Sequence, residues 1–149
     1  MIERVVIQTN SSGFADTEAF VEHVCDHFGI TFEFGIVSSS VLSAVAAISH
    51  MQDDAQLAIE MGECEGGVYC RISSESPIPA DLLSSELPDE PDMIKDNAFT
   101  IHCLADLVTV SDDNKTLRMD FILQGVASPY ACQRQQTLKK YFASRVVEA

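Results

Sequence analysis

With 149 residues, 46% of them apolar and 21% charged, the chain is long enough to bury one sizeable core and has the balance of a globular domain. A formal net charge of -14, with basic residues too scattered to form a stripe, repels phosphate backbones and argues against nucleic acid as a partner. No uninterrupted apolar run approaches the roughly 18 residues of a membrane helix, and the opening "MIERVVIQTN" lacks a basic segment followed by an apolar one. A cytoplasmic protein without a membrane segment is therefore expected.

"ERVVIQT" alternates as a strand, with Val5 and Ile7 on one face and Val6 on the other. In "DTEAFVEHVCDHFG", Phe20, Val21, Val24, Cys25 and Phe28 recur at helical spacing, Asp16 can cap the start and Gly29 can stop the end. "FGIVSSSVLSAVAAISHM" predicts a buried second helix, capped by the serines Ser38, Ser39 and Ser40, with Val41, Leu42, Val45 and Ile48 packed on a sheet.

"AQLAIEMGECEGGVYCRIS" reads as a hairpin turning at Glu65-Gly66-Gly67. From Ser73 to Asp96 apolar residues thin out while prolines and acids accumulate, which predicts a long loop with one helical turn at most. A buried helix with Phe99, Ile101, Cys103, Leu104 and Ala105 follows. "LVTVS" and "TLRMDF" then flank "DDNK" as a second hairpin, with Leu117, Met119 and Phe121 on one face. The end predicts an amphipathic tail helix carrying Tyr130, Leu138, Phe142 and Val146. The order implies an α+β fold, a two-layer sandwich of helices on a mostly antiparallel sheet. Residues 1–125 would form it, and 126–149 a helical tail packed on it or swapped between domains.

Cys25, Cys64, Cys70, Cys103 and Cys132 form no CxxC pair, so buried thiols are expected rather than disulfides or a zinc site. His23 and His27 stand four apart, a zinc half-site spacing, but Glu22 and Asp26 beside them make a polar helix face the simpler reading. His50 and His102 read as hydrogen-bonded structural histidines, and no G-x-S-x-G surrounds the serines. No metal site or catalytic residue is assigned.

"FTIHCLADLVTVSDDNKTLRMDF" resembles the last helix and hairpin of the GHKL (histidine-kinase-like) ATPase superfamily, in its small branch of anti-sigma regulatory factors and serine kinases. The resemblance implies a nucleotide pocket at three places. On the second helix, Leu42 and Ala46 stand where the family carries a glutamate and the magnesium-binding asparagine, with His50 a turn later. Neither side chain offers oxygen to a hard cation. At the hairpin's end, Ser73 replaces the adenine-reading aspartate, while Glu75 and Pro77 replace a Gly-x-Gly turn. Before the last helix, "KDNAF" supplies Lys95 and Asn97 but no glycine for phosphate.

The resemblance thus implies a regulatory protein-binding domain without kinase or ATPase activity and without a cofactor. Its partner would be a sigma factor or an anti-anti-sigma-like protein, and the domain would be a homodimer. The alternative is a kinase that binds ATP and Mg in a diverged pocket at Ala46, His50, Ser73, Lys95 and Asn97.

Overall fold

A computed structural model describes residues 2–31, 33–52, 55–64 and 66–123. The tail helix expected over 126–149, with Tyr130, Leu138, Phe142 and Val146, lies outside the described residues, as do Cys132 and Glu65. The chain runs β1 (Ile2–Gln8), α1 (Ser11–His27), α2 (Phe34–Met51), β2 (Gln56–Cys64) and β3 (Gly67–Ser74). A 3-10 turn (Ala80–Leu83), α3 (Met93–Leu104), β4 (Leu107–Val110) and β5 (Thr116–Ile122) follow. Among the described residues the result is an α+β fold of three helices with one five-stranded sheet.

The strands lie in the order β1-β2-β3-β5-β4, and every pairing is antiparallel. Strict alternation sends Leu57, Ile59, Met61, Cys70, Ile72, Leu117, Met119 and Phe121 into the core. Their alternates form the outer face of the sheet, where one row of paired residues reads Arg4, Glu60, Arg71, Arg118, Thr109 across all five strands. Arg71 Nη1 lies 3.5 Å from Glu60 Oε2, Arg118 Nη2 2.9 Å from Asp120 Oδ1, and the Arg118 guanidinium 4.5 Å from the Tyr69 ring centre.

Both expected hairpins form. Gly66, with φ of +77°, supplies the left-handed residue of the first turn, and Asn114, with φ of +60°, that of the second. Gly67 sits against β5 so closely that an added Cβ would lie 1.8 Å from the Phe121 carbonyl oxygen, so only glycine permits this approach.

The helix starts differ from the sequence reading. α1 begins at Ser11, because Asn10 Oδ1 accepts from the Gly13 N–H at 2.9 Å; Asp16 lies inside the helix and caps nothing. Its end is as expected. Gly29 takes φ of +71° while the Ile30 N–H donates to the Cys25 carbonyl at 2.8 Å.

α2 begins at Phe34 with Glu33 at the cap position and no side-chain cap. The expected serine cap is absent because Ser38, Ser39 and Ser40 lie within the helix, and Ser40 Oγ donates back to the Ile36 carbonyl at 2.8 Å. α2 packs against both α1 and α3, and Val37, Val41, Ala44, Val45, Ala47 and Ile48 are buried. It is long and apolar enough, with a mean hydropathy of 1.5 over 18 residues, to match a membrane span by composition. These buried side chains give a core helix the same apolar character.

Candidate functional site

The residues singled out from the sequence fall on different parts of the fold. Ala46 is half-buried and His50 exposed, both on α2. Leu42, expected to pack on the sheet, is also only half-buried. Ser73 belongs to the outer sheet face, where its Oγ lies 3.2 Å from Thr116 Oγ1. It is therefore on the side away from the core-facing set that α2 and α3 join.

Its neighbour Ser74 instead reaches the end of α2: Ser74 Oγ donates to Gln52 Oε1 at 2.6 Å. Gln52 Nε2 donates to the Ser76 and Pro77 carbonyls at 3.3 and 3.1 Å, and the Gln52 carbonyl accepts from Thr9 Oγ1 at 2.5 Å. One glutamine thus ties the end of α2 to β1 and to the loop leaving β3. Strand alternation, which separates Ser73 from Ser74, was the signal in the sequence that could have found this pair.

Lys95 and Asn97, expected in a turn before the last helix, lie inside α3. The helix starts earlier because Asp92 caps it. Its Oδ1 accepts from the Ile94 and Lys95 N–H groups at 3.1 and 2.9 Å, and its carbonyl from the Asp96 N–H at 2.8 Å. Two of the N–H donors that a helix start offers to an anion are thus engaged by the chain's own carboxylate. Asn97 Nδ2 donates to the Met93 carbonyl at 2.6 Å.

The cavity beside this start, of about 580 Å³, is lined by Asp81, Ser84, Glu86, Leu87, Pro88, Asp89, Glu90, Pro91, Asp92 and Lys95. Five carboxylates around one lysine make it a place for positive charge. Apolar surface adjoins them: Leu83 is 48% exposed, Leu87 56% and Met93 51%. His102 Nε2 lies 3.0 Å from the Leu82 carbonyl oxygen and fastens the 3-10 turn to α3.

Among the described residues, no three His, Cys, Asp or Glu side chains gather to hold a metal ion. His23 and His27 stack with ring centres 6.5 Å apart on the exposed side of α1.

Set beside the models of known protein families and the curated protein sequences, the chain matches none. The functional reading therefore rests on the cleft itself. Sequence patterning marked its segment as an acidic loop; the N-cap at Asp92 and the exposure of Leu83 and Met93 emerge only from the fold.

Proposed function

We propose that the chain is a regulatory protein-binding domain of GHKL-like fold, resembling an anti-sigma factor or partner-switching kinase that works without nucleotide. One observation carries the reading. At the start of α3, where a related ATPase would hold phosphate, the helix is capped by Asp92, and the adjoining cleft is acidic and lined by Leu87, with Leu83 and Met93 exposed next in sequence to the lining residues Ser84 and Asp92.

Carboxylates around a cleft raise the cost of placing a polyphosphate there. Leu42 and Ala46 add no oxygen ligand for magnesium, so the reading takes no cofactor. Apolar side chains rimmed by charge are instead what a protein interface uses, the apolar part supplying contact area and the charge supplying specificity and association rate. The partner that fits is a basic, apolar segment of a regulatory protein such as a sigma factor or an anti-anti-sigma-like protein.

The test has two arms. Thermal shift with ATP or ADP, with and without Mg²⁺, should show no stabilisation, whereas a ligand at 100 times its Kd would add about 2.7 kcal/mol. A basic amphipathic peptide should bind the unmodified chain at low salt, and Asp81→Asn with Glu86→Gln should weaken that binding. Magnesium-dependent stabilisation by nucleotide would replace this reading with the kinase one.

A further inference from the structure

We infer that the free edge of β1 is a separate docking surface, which takes an extended segment of a partner protein as an added strand and seats a carboxylate of that segment on Arg4. The edge is independent of the acidic cleft. β1 and β4 lie at opposite margins of the sheet, and α3 and the 3-10 turn pack beside β4.

Among the described residues β1 pairs with β2 alone. The Thr9 N–H donates to the Ala55 carbonyl at 2.8 Å, and bonded pairs alternate along an antiparallel ladder, so Ile7, Val5 and Glu3 turn their backbone groups toward β2. Val6, Arg4 and Ile2 turn theirs outward. α1 closes the edge at Gln8, where a Cβ on Gly13 would lie 1.6 Å from the Gln8 carbonyl oxygen. From Val6 back to Ile2 the strand has no proline and no bulge, the devices that keep other strands off a sheet margin.

The side chains along this edge define what fits it. Ile2 is 62% exposed and Val6 57%, and their β2 neighbours on the outer face, Gly62 and Ala58, are too small to cover them. Arg4 stands between them, opposite Glu60. Glu60 is engaged elsewhere, because its Oε2 accepts from the Tyr69 hydroxyl at 3.1 Å and lies 3.5 Å from Arg71 Nη1. Among the described residues Arg4 has no ion pair. The row Arg4, Glu60, Arg71 alternates in charge, and an acid on the added strand continues it. The matching segment therefore places an acidic residue opposite Arg4 and apolar residues opposite Ile2 and Val6. On the helix side Glu3 favours a basic residue directly after the acid in an antiparallel segment.

A second copy of the chain does not match. On the outer face β1 offers Ile2, Arg4, Val6 and Gln8, and β4 offers Leu107 and Thr109, so neither margin supplies an acid. Two β1 strands joined so that Ile2 meets Val6 would set the two Arg4 side chains directly opposite each other. The net charge of -14 opposes an acidic partner at long range, but at physiological salt screening over about 8 Å leaves the nearest charges to decide.

Amide exchange followed by NMR reads this edge directly. In the unliganded chain the Arg4 and Val6 amides should exchange many-fold faster than those of Val5 and Ile7, which β2 holds. The blocked heptapeptide Thr-Val-Thr-Glu-Lys-Val-Thr, at millimolar concentration, should slow Arg4 and Val6 several-fold, and the same peptide with lysine in place of its glutamate should not. Arg4→Glu should reverse that preference, and the milder Arg4→Gln should abolish it. Arg4 is exposed, so both variants should keep the fold.

Slow exchange at Arg4 and Val6 in the unliganded chain would overturn the inference, since the edge would already be covered: by a second copy if the mass is that of a dimer, by the chain itself if it is that of a monomer. Equal protection by the glutamate and lysine peptides would overturn the recognition of charge. Protection by neither would overturn the docking surface and leave Arg4 as a guard against edge pairing. Binding at the acidic cleft is read separately, by the basic peptide.

Discussion

Ser74 and Gln52 meet across the seam between β3 and the end of α2, hydroxyl to amide oxygen at 2.6 Å. Ser74 is 8% exposed, its hydroxyl donates to Gln52 while its Oγ accepts from the Ser76 N–H at 3.2 Å, and the same glutamine amide holds two loop carbonyls. Gln52→Ala should cost about 1–3 kcal/mol, the penalty of leaving a buried polar group unpaired, read as a lower denaturant midpoint. A change within about 0.5 kcal/mol would mean that water takes over the bonds.

Asp92 should behave as a cap and not as a ligand. Asp92→Ala should destabilise the fold by about 1 kcal/mol, and Asp92→Asn by less, because asparagine caps almost as well. Neither change should produce ATP binding in calorimetry, since removing the cap frees two N–H donors but leaves the neighbouring acids in place.

The pair Leu42→Glu with Ala46→Asn introduces the polar residue types that the proposed GHKL likeness implies for a nucleotide-binding helix. A fully packed face would make that change cost several kcal/mol. Both positions are only half-buried, however, so the new groups keep contact with water and the cost should be about 1–2 kcal/mol. Magnesium-dependent ATP binding should still not appear in calorimetry.

Gly67→Ala is the most damaging single change expected in the sheet. Its Cβ would meet the Phe121 carbonyl at 1.8 Å, so β3 and β5 must separate locally and lose ladder bonds. A loss of about 3 kcal/mol or more in a denaturant melt is expected.

Burial pushes the Cys25 thiol up to about 11 from an ordinary value of 9.0, and pushes Cys70 up still further. Below pH 9 these thiols are protonated in both folded and unfolded chains and contribute no slope. Between pH 9 and about 11 the unfolded chain releases protons that the folded one retains. Stability should therefore fall as pH rises, by about 1.4 kcal/mol per pH unit for each such thiol. Melts at pH 8, 9 and 10 should show that decline, and Cys25→Ala should reduce its slope.

Much of the fold was legible because alternation and helical spacing are local. Leu117, Met119 and Phe121 declare a strand face by themselves, and Gly29 declares a helix end. Helix starts were harder, since Asn10, Asp16 and the serines from Ser38 to Ser40 all suit a cap in sequence, and tertiary packing decides which one the chain uses. Of the site, the acidic loop was visible as composition. That Ser73 and Ser74 serve opposite faces, and that Asp92 starts α3 before Lys95, depends on register and dihedral angles that composition does not carry.

The outer sheet face carries Arg4, Arg71 and Arg118, with Glu60 and Asp120 as its carboxylates among the described residues, whereas the loop beside α3 concentrates acid. Among the described residues the fold thus carries its charge unevenly, with arginines on the outer sheet face and carboxylates in the loop beside α3. In solution it does not present all sides equally: an approaching cation is drawn to the helix side, and an anionic surface is met sheet first. Net charge alone would describe a body repelled by anything negative, but the arginine row gives it one orientation in which that repulsion is weakest.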